Sequence, residues 1–342
     1  MQAVYFERHG GPEVLTYGDF KDPAPGPNEV VIGIKACALN HLDIWAREGL
    51  PGVSIPLPHI LGCDVAGVVL ETGKGARRFK KGDRVVISPG QAPLFASEGF
   101  EARDSYSPDF QILGLQIQGG YAERVAVNER FVIPVSDRYT FEEWASFPLA
   151  ALTAYHMLVT RAGLRAGETA LIHAAGSGVG SFAVQIAKFL GATVVATAGD
   201  YKKVARAKKL GADEVILYKT KDFAEEVRRL TDKRGVDVVL EHIGPETWQK
   251  SLLCLARGGR LVTCGATSGP KVEMDLRPFF SKQLSILGSY MGSFAELCKT
   301  LRLAEKGALT PVIDQVFALK EAAAAHCRME SRQHFGKIVL KP

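Results

Sequence analysis

The stretch His173-Ala-Ala-Gly-Ser-Gly-Val-Gly-Ser181 decides the fold of this chain. An apolar run, Thr169-Ala-Leu-Ile-His-Ala174, leads into it, and a segment with Phe182, Ile186 and Leu190 at helical spacing follows it. In this strand–turn–helix order, glycine lets the backbone approach a pyrophosphate, and the helix N-terminus points unpaired N–H groups at it. The pattern therefore predicts a dinucleotide site with a cradle made of Gly176, Ser177, Gly178, Val179 and Gly180.

Length and composition exclude several classes of protein. The 342 residues suffice for two domains, and the hydrophobic (46%) and charged (23%) fractions are typical of a soluble globular protein. The net charge of +5 comes from scattered basic residues, so no nucleic-acid partner is expected. Pro148 interrupts the longest apolar region, residues 144–159, which argues against a membrane span. The six cysteines lack framework spacing and Met1 leads straight into strand-like sequence, so we expect a cytoplasmic location.

Two patterns divide the chain. Short apolar or alternating runs separated by Gly and Pro fill residues 1–125 and predict a small β-barrel. From the capping box Thr140-Phe-Glu-Glu143 onward, apolar strands alternate with helices, which predicts an α/β domain with a doubly wound parallel sheet. We expect a first domain at 1–125, a nucleotide-binding domain at 126–294 and a return to the first domain at 295–342. The long, weakly periodic stretch 88–120 is typical of a functional lobe.

An ordered set of motifs gives the chain a family resemblance. The motifs are Asn40-His-Leu-Asp43, Ile60-Leu-Gly-Cys-Asp-Val-Ala-Gly67, Gly119-Gly-Tyr-Ala-Glu123, the glycine-rich turn, Gly265-Ala-Thr-Ser-Gly269 and Phe335-Gly-Lys-Ile-Val339. In this order they resemble the medium-chain dehydrogenase/reductase superfamily over the full length. The resemblance implies a GroES-like β-barrel catalytic domain built from both chain ends, with a Rossmann domain between them.

The resemblance also bears on metal. The zinc-dependent alcohol dehydrogenase branch binds its catalytic zinc with Cys, His and Cys at positions that align here with Asn40, Cys63 and Leu149. Its proton-relaying hydroxyl aligns with Leu42, and the four cysteines of its second zinc site have no counterpart in residues 88–120. The resemblance therefore implies that neither zinc site is intact, and we expect no metal.

A different metal site has also to be considered. Cys37, His59, Cys63 and Asp64 are all potential metal ligands, yet their spacing matches no familiar site. Core or surface roles are the favoured interpretation of these four residues.

The zinc-free quinone oxidoreductase branch resembles this chain at the first motif, where it also has an Asn. Without a Lewis acid, hydride transfer from a nicotinamide to an activated acceptor, such as a quinone or an α,β-unsaturated carbonyl, is the chemistry that remains. The resemblance suggests Asn40 for orienting the acceptor or the nicotinamide, although Asn40 could equally cap a loop. It places Trp45 beside the pocket or in the core, and Cys63 in the pocket wall.

The resemblance and the local sequence together favour NADP(H), with NAD(H) as the alternative. The acid that grips the ribose in NAD enzymes is replaced by Ala198, while Lys202, Lys203 and Tyr218 could meet a 2′-phosphate. Asp200 opposes this choice if it points inward, and caps the next helix if it points outward. Further residues assigned to the cofactor are His41, Thr153, Gly199, Gly265, Ala266 and Thr267.

Three functions remain open at this stage. The first is a zinc-independent NADPH reductase; the second is an alcohol dehydrogenase with altered metal binding; the third is a nucleotide-binding protein without turnover. The resemblance also implies a homodimer or homotetramer that pairs strands at Ser285 to Gly288, acting on a small-molecule substrate.

Overall fold

The computed structural model describes residues 1–92 and 104–342 and divides the chain into two compact units. Unit 1 consists of Met1–Ala150 and Ser293–Pro342, and unit 2 is Ala151–Gly292. Residues 126–150, which the sequence pattern groups with the second domain, lie in unit 1 because their strands pair with barrel strands. Part of the predicted lobe at 88–120 falls outside the described residues.

In unit 1 the strands are joined mostly by turns and loops, and in unit 2 they alternate with helices. Numbered in chain order, they are β1 Gln2–Phe6, β2 Thr16–Asp19, β3 Glu29–Ala38, β4 His59–Ile60, β5 Asp64–Thr72, β6 Arg84–Ile87, β7 Gly90–Gln91, β8 Gln111–Ile112, β9 Arg124–Asn128, β10 Val132–Pro134, β11 Thr169–Ile172, β12 Thr193–Ala198, β13 Glu214–Leu217, β14 Val236–Glu241, β15 Leu255–Thr263, β16 Ser285–Gly288, β17 Ile313–Ala318 and β18 Lys337–Lys341.

The helices are mostly short. They are α1 His41–Glu48, α2 Phe141–Ala145, α3 Pro148–Tyr155, α4 Gly178–Phe189, α5 Tyr201–Lys209, α6 Phe223–Leu230, α7 Pro245–Cys254, α8 Leu276–Ser281, α9 Phe294–Glu305 and α10 Ala322–Glu330. A π-helical turn, His156–Arg161, follows α3. The predicted capping box is confirmed: Glu143 N–H donates to Thr140 Oγ1, and Thr140 N–H donates to Glu143 Oε2.

Unit 1 is built around a sheet whose neighbouring strands pair antiparallel, except that β17 and β18 pair in parallel. Its strand order is β10–β6–β5–β3–β18–β17, with β9 also paired to β3, and a second sheet has the order β2–β1–β4. Strand β18 pairs antiparallel with β3 in a register that sets Val339 opposite Ala38. Continued by two residues, this register brings Lys337 opposite Asn40. The C-terminal strand therefore completes the sheet beside the first motif of the chain.

Unit 2 contains the predicted doubly wound parallel sheet. Its order is β13–β12–β11–β14–β15–β16, and each neighbouring pair is parallel. Strand order reverses between β11 and β14, so the carboxyl ends of these strands flank the crevice in which such sheets bind ligands. The apolar core between the sheet and helices α6 and α7 includes Leu171, Val239 and Leu261, all fully buried. Within the described part of the chain, no helix combines the length and apolar character that a membrane crossing requires.

Candidate active site

Asn40 lies where strand β3 ends and helix α1 begins. Its backbone is extended, and its N–H donates to Asp43 Oδ2 at 2.8 Å, which fixes the start of the helix. The side chain makes no capping bond and turns instead toward strands β5 and β18. Asn40 thus does begin a helix, but through its backbone, which leaves the carboxamide for a separate role.

The carboxamide of Asn40 belongs to a buried group with Asp64 and Lys337, here called the Asn40 cluster. Lys337 Nζ donates to Asn40 Oδ1 at 2.5 Å and to Asp64 Oδ2 at 2.9 Å, and Asn40 Nδ2 donates to the same Asp64 oxygen at 2.9 Å. The other oxygen, Asp64 Oδ1, accepts the backbone N–H of Leu149 at 2.7 Å. Asn40 is 7% exposed, Lys337 3% and Asp64 0%, so ammonium and carboxylate form an ion pair away from water.

Cys63 lies against this cluster as a neutral thiol. Its side chain is fully buried, and Asn40 Nδ2 approaches its sulfur at 3.4 Å. Burial, followed by the nearby Asp64 carboxylate, raises the pKa of the thiol well above its usual range. The thiolate required of a nucleophile or metal ligand is therefore disfavoured.

A second buried chain starts at Asp43 and consists of Asp43, Tyr121, His326 and Arg47; we call it the Asp43 chain. Arg47 Nη1 donates to His326 Nδ1 at 3.0 Å, and because arginine can only donate, the His326 proton lies on Nε2. That proton faces Tyr121 Oη at 3.3 Å, and the tyrosine hydroxyl donates to Asp43 Oδ2 at 3.0 Å. Arg47 Nη2 continues to Glu330 Oε1 at 2.6 Å. Between Arg47 and Asp43, each of the three hydrogen bonds is donated in the direction of Asp43.

Burial sets the charge states along the Asp43 chain. It raises the pKa of Asp43 to about 6, against an ordinary value of 3.8. It lowers the pKa of His326 to about 3, with a further contribution from the Arg47 charge. His326 is therefore neutral at pH 7, in agreement with the hydrogen-bond directions.

In unit 2, the predicted glycine turn has the tight geometry of a phosphate cradle. Ser177 caps helix α4 by accepting the N–H of Gly180 at 2.9 Å. A Cβ on Gly180 would lie 2.2 Å from the carbonyl oxygen of Ala174, so only glycine fits there. Ala174 itself adopts a left-handed conformation with φ of 48°. The helix N-terminus and the open turn suit a pyrophosphate.

A buried polar chain lies beneath this turn; it consists of Ala174, Thr197, His173, Ser251 and Glu241, and we call it the His173 chain. Ala174 N–H donates to Thr197 Oγ1 at 3.0 Å, and that hydroxyl lies 3.3 Å from His173 Nδ1. His173 Nε2 lies 2.9 Å from Ser251 Oγ, whose proton goes to Glu241 Oε2 at 2.8 Å. Burial lowers the pKa of His173 to about 4, so the ring is neutral at pH 7. The chain ties the ends of β11, β12 and β14 to helix α7.

The end of strand β12 carries the residues expected to select the cofactor. Asp200 is exposed and accepts the N–H of Lys203 at 2.8 Å, so it caps helix α5 and takes the outward role considered above. A Cβ on Gly199 would lie 2.9 Å from the Tyr218 hydroxyl, so these two residues are in contact. Lys202, three residues after Gly199 in sequence, is exposed.

The remaining predicted site residues fall into both units. His41 and Trp45 are half-buried on one face of α1, with ring centroids 5.4 Å apart. Thr153 is 5% exposed within α3. Ala266 is exposed and Gly265 half-buried, while Thr267 donates from Oγ1 to the His242 carbonyl at 3.3 Å.

The donor set of unit 1 does not fit a zinc ion. Both Asp64 oxygens already accept hydrogen bonds, and the Lys337 ammonium supplies positive charge where a metal would have to enter. Cys37 and His59 are buried in strands β3 and β4. Within residues 1–92 and 104–342, no group of three or more His, Cys, Asp or Glu side chains is arranged to hold a metal ion.

Several residues of these networks were missed from sequence. Lys337 was noted only within a motif, although a lysine beside the apolar run Ile338-Val-Leu340 is a signal for a buried partner. Tyr121 likewise stood only within a motif, and His326 and Arg47 carried no signal, because their contacts join distant parts of the chain.

The sequence and the fold of this chain are similar to those of known proteins. Two family models match the chain: an alcohol dehydrogenase GroES-like domain over residues 26–137 and a zinc-binding dehydrogenase over residues 178–306. A quinone oxidoreductase of Pseudomonas aeruginosa is 36% identical, with 100% of this chain and 99% of that protein covered. The chain belongs to the medium-chain dehydrogenase/reductase family. It is accordingly an oxidoreductase with the GroES-like and Rossmann architecture.

Other members of the family differ in their stated activity. A crotonyl-CoA reductase of Streptomyces avermitilis is 30% identical, with 94% of this chain and 80% of that protein covered. A solved structure described as an NAD-dependent alcohol dehydrogenase is 45% identical, has a TM-score of 0.97 and covers both chains fully. Membership in the family thus fixes the reaction type, while cofactor and acceptor have to be argued from the site.

Proposed function

We propose that the protein is a zinc-independent, NADPH-dependent reductase of quinones or α,β-unsaturated carbonyls. The observation that carries the proposal is the Asn40 cluster, in which an ammonium and a carboxylate form a closed set of hydrogen bonds with the carboxamide of Asn40, the residue that aligns with a zinc ligand of the alcohol dehydrogenase branch. Relatives described as quinone oxidoreductase and crotonyl-CoA reductase reduce conjugated acceptors by name, which supports the same class of substrate.

The cofactor proposal rests on the end of strand β12. Ala198 leaves no acid for the ribose diol, and Asp200 is committed to capping helix α5. Gly199, Lys202, Lys203 and Tyr218 would hold the 2′-phosphate. The glycine turn would hold the pyrophosphate, with His41 assigned to it as well. Thr153, Gly265, Ala266 and Thr267 are assigned to the nicotinamide side.

In the proposed reaction, bound reduced nicotinamide supplies a hydride, a hydrogen nucleus with two electrons, to the electrophilic carbon of the acceptor. The displaced π electrons collect on the conjugated oxygen, where the carboxamide of Asn40 stabilises the developing charge by a hydrogen bond. Water then protonates the reduced product. Cys63 stays a neutral thiol in the wall, and Trp45 supplies an apolar surface.

The experiment is a cofactor and acceptor panel with the purified protein. We expect NADPH oxidation with 9,10-phenanthrenequinone, 1,4-benzoquinone or 2-cyclohexen-1-one, a lower KM for NADPH than for NADH, and no loss of activity with EDTA. Elemental analysis is expected to find less than one zinc per chain. Stoichiometric zinc together with chelator-sensitive activity would overturn the proposal.

The 45% identical structure described as an NAD-dependent alcohol dehydrogenase favours a second candidate, oxidation of alcohols with NAD. The same purified protein distinguishes the two candidate functions. If it reduces NAD with primary or secondary alcohols and turns over no quinone or enone, the second candidate is correct.

We also infer a homodimer or homotetramer. Strand β16 is the edge of the unit 2 sheet, and Phe280 and Tyr290 near it are 68% and 56% exposed. An unpaired edge with exposed aromatic neighbours is typical of a surface that pairs with a second copy.

A further inference from the structure

The hydrogen bonds of the Asn40 cluster determine which way the Asn40 carboxamide points. Lysine can only donate, and a carboxylate can only accept. Asn40 Oδ1 lies 2.5 Å from Lys337 Nζ, and Asn40 Nδ2 lies 2.9 Å from Asp64 Oδ2. Turning the amide over would set its NH₂ group against the ammonium and its oxygen against the carboxylate. Two favourable charge-assisted bonds would become two repulsive contacts, so only one orientation is compatible with the cluster.

The strand register supports the same arrangement. Val339 pairs with Ala38 across β18 and β3, and Ala38 pairs with Asp64 across β3 and β5. Lys337 and Asp64 therefore approach Asn40 from the two strands that flank β3. Their positions are set by the backbone of a continuous sheet and not by a loop.

This orientation leaves one N–H proton of Asn40 weakly bound. The first proton of Nδ2 goes to Asp64 Oδ2. Among the described residues, the only other acceptors near Nδ2 are Cys63 Sγ at 3.4 Å and the Ala38 carbonyl oxygen at 3.5 Å. Sulfur is a weak acceptor, and 3.5 Å is at the limit of a hydrogen bond. A ligand oxygen with a lone pair would be a better acceptor than either of them.

We propose that Lys337 and Asp64 are positioning residues that hold Asn40 as an obligatory hydrogen-bond donor, so the acceptor substrate has to present an oxygen that gains negative charge. The inference rests on the proposed function and adds to it the two residues that orient Asn40. A conjugated ketone, aldehyde or quinone meets the requirement, because hydride addition at carbon moves the π electrons onto oxygen. An activated alkene without a conjugated oxygen does not meet it, because nothing then accepts the Asn40 proton.

The experiment replaces the ammonium and follows both chemistry and amide orientation. Lys337→Met removes the charge at similar length, Lys337→Arg keeps a charged donor, and Lys341→Met removes an exposed lysine of the same strand as a matched control. Because a lone buried carboxylate is costly, the double variant Lys337→Met/Asp64→Asn removes both charges together. The Asn40 side-chain ¹⁵N–¹H pair, identified by its loss in Asn40→Ser, reports the orientation directly.

With 2-cyclohexen-1-one and 9,10-phenanthrenequinone, we expect Lys337→Met and the double variant to lower kcat by about 10- to 100-fold, the scale of losing an oxyanion donor. NADPH affinity, measured by fluorescence, and the KM for the acceptor are expected to change little. Lys337→Arg is expected to recover most of the activity, and Lys341→Met to match the wild type. The Asn40 amide signals are expected to move in both variants that lack the ammonium.

Different results would contradict the positioning role of Lys337 and the proposed reductase function. The positioning role of Lys337 is overturned if the Lys337→Met protein folds, binds NADPH and has the wild-type kcat. It is also overturned if the Asn40 amide signals of this variant do not move. A wild-type protein that reduces none of the quinones and enones overturns the proposed function, and the Asn40 signals then still decide whether Lys337 orients the amide.

Discussion

At Asp43, several donors converge on one buried carboxylate. Asn40 N–H and the Tyr121 hydroxyl donate to Oδ2, and Gly62 N–H donates to Oδ1 at 3.1 Å. These bonds favour the ionised form, yet burial outweighs them and raises the pKa to about 6. The carboxylate that fixes the start of helix α1 therefore titrates within the pH range of ordinary buffers.

The first prediction concerns stability against pH at this residue. Between pH 3.8 and about 6, folded Asp43 holds a proton that the unfolded chain has released, so its contribution to stability falls as pH rises through this window. The shift of about two pKa units corresponds to at most ~3 kcal/mol. His326 acts in the opposite direction, because its folded pKa of about 3 makes stability rise with pH up to its ordinary value of 6.5.

The effects of Asp43 and His326 on the free energy of unfolding partly cancel. The wild type is therefore compared with a variant that lacks only the Asp43 carboxylate. Urea unfolding of the wild type and Asp43→Asn is compared from pH 4 to pH 7, and the free energy of unfolding of the wild type is expected to fall relative to the variant. The exposed Asp109→Asn is the control and is expected to run parallel to the wild type. Parallel curves for Asp43→Asn as well would contradict the raised pKa.

At the scale of elements, the His173 chain connects three strand ends to the glycine turn. Burial alone would raise the pKa of Glu241, but the electrostatic interaction with His173 lowers it, as do the hydrogen bonds donated by the N–H of Ile243 and the hydroxyls of Thr247 and Ser251, and the net shift is downward. The anion at the end of β14 is thus solvated by protein groups. Through Ser251, His173 and Thr197, it is linked by hydrogen bonds to the backbone N–H of Ala174, which has the left-handed conformation.

The second prediction tests this connection with Ser251→Ala. The substitution leaves the Nε2 proton of His173 without its acceptor, which costs about 1–3 kcal/mol of stability. We expect a lower Tm and several-fold weaker NADPH binding by fluorescence titration, since the turn loses part of its support. Ser331→Ala, at the exposed end of α10, is the control. Unchanged NADPH affinity would show that the turn does not depend on the chain beneath it.

Turns and helix ends that neighbouring residues determine could be predicted from the sequence. The buried hydrogen-bond networks between distant residues could not. The glycine turn, the capping box at Thr140 and the helix stop at Gly211, with φ of 108°, all follow from neighbouring residues. The Asn40 cluster joins residues 297 apart in sequence, and its geometry depends on strand pairing. Asn40 was singled out for its amide, but only the register of β18 reveals what holds that amide.

At the scale of the whole molecule, exposed aromatic residues near strand β16 support the inferred oligomer. The third prediction is that Phe280→Asp, at a position 68% exposed, converts the dimer or tetramer to a monomer in analytical ultracentrifugation. Phe189→Asp, 55% exposed on helix α4 of the same unit, serves as the matched control and is expected to leave the assembly intact. A monomeric wild type, or dissociation by both variants, would contradict an interface at β16.

The discontinuity of unit 1 has a consequence for biosynthesis. Lys337 lies on a strand that follows all of Ala151–Gly292 in the chain, whereas its partners Asn40 and Asp64 precede that segment. A ribosome therefore releases the nucleotide-binding sheet before the ammonium can reach its carboxylate, and domains generally fold as units during synthesis. We therefore expect unit 2 to fold first, and the hydrogen bonds from Lys337 to Asn40 and Asp64 to form only after translation has passed residue 337.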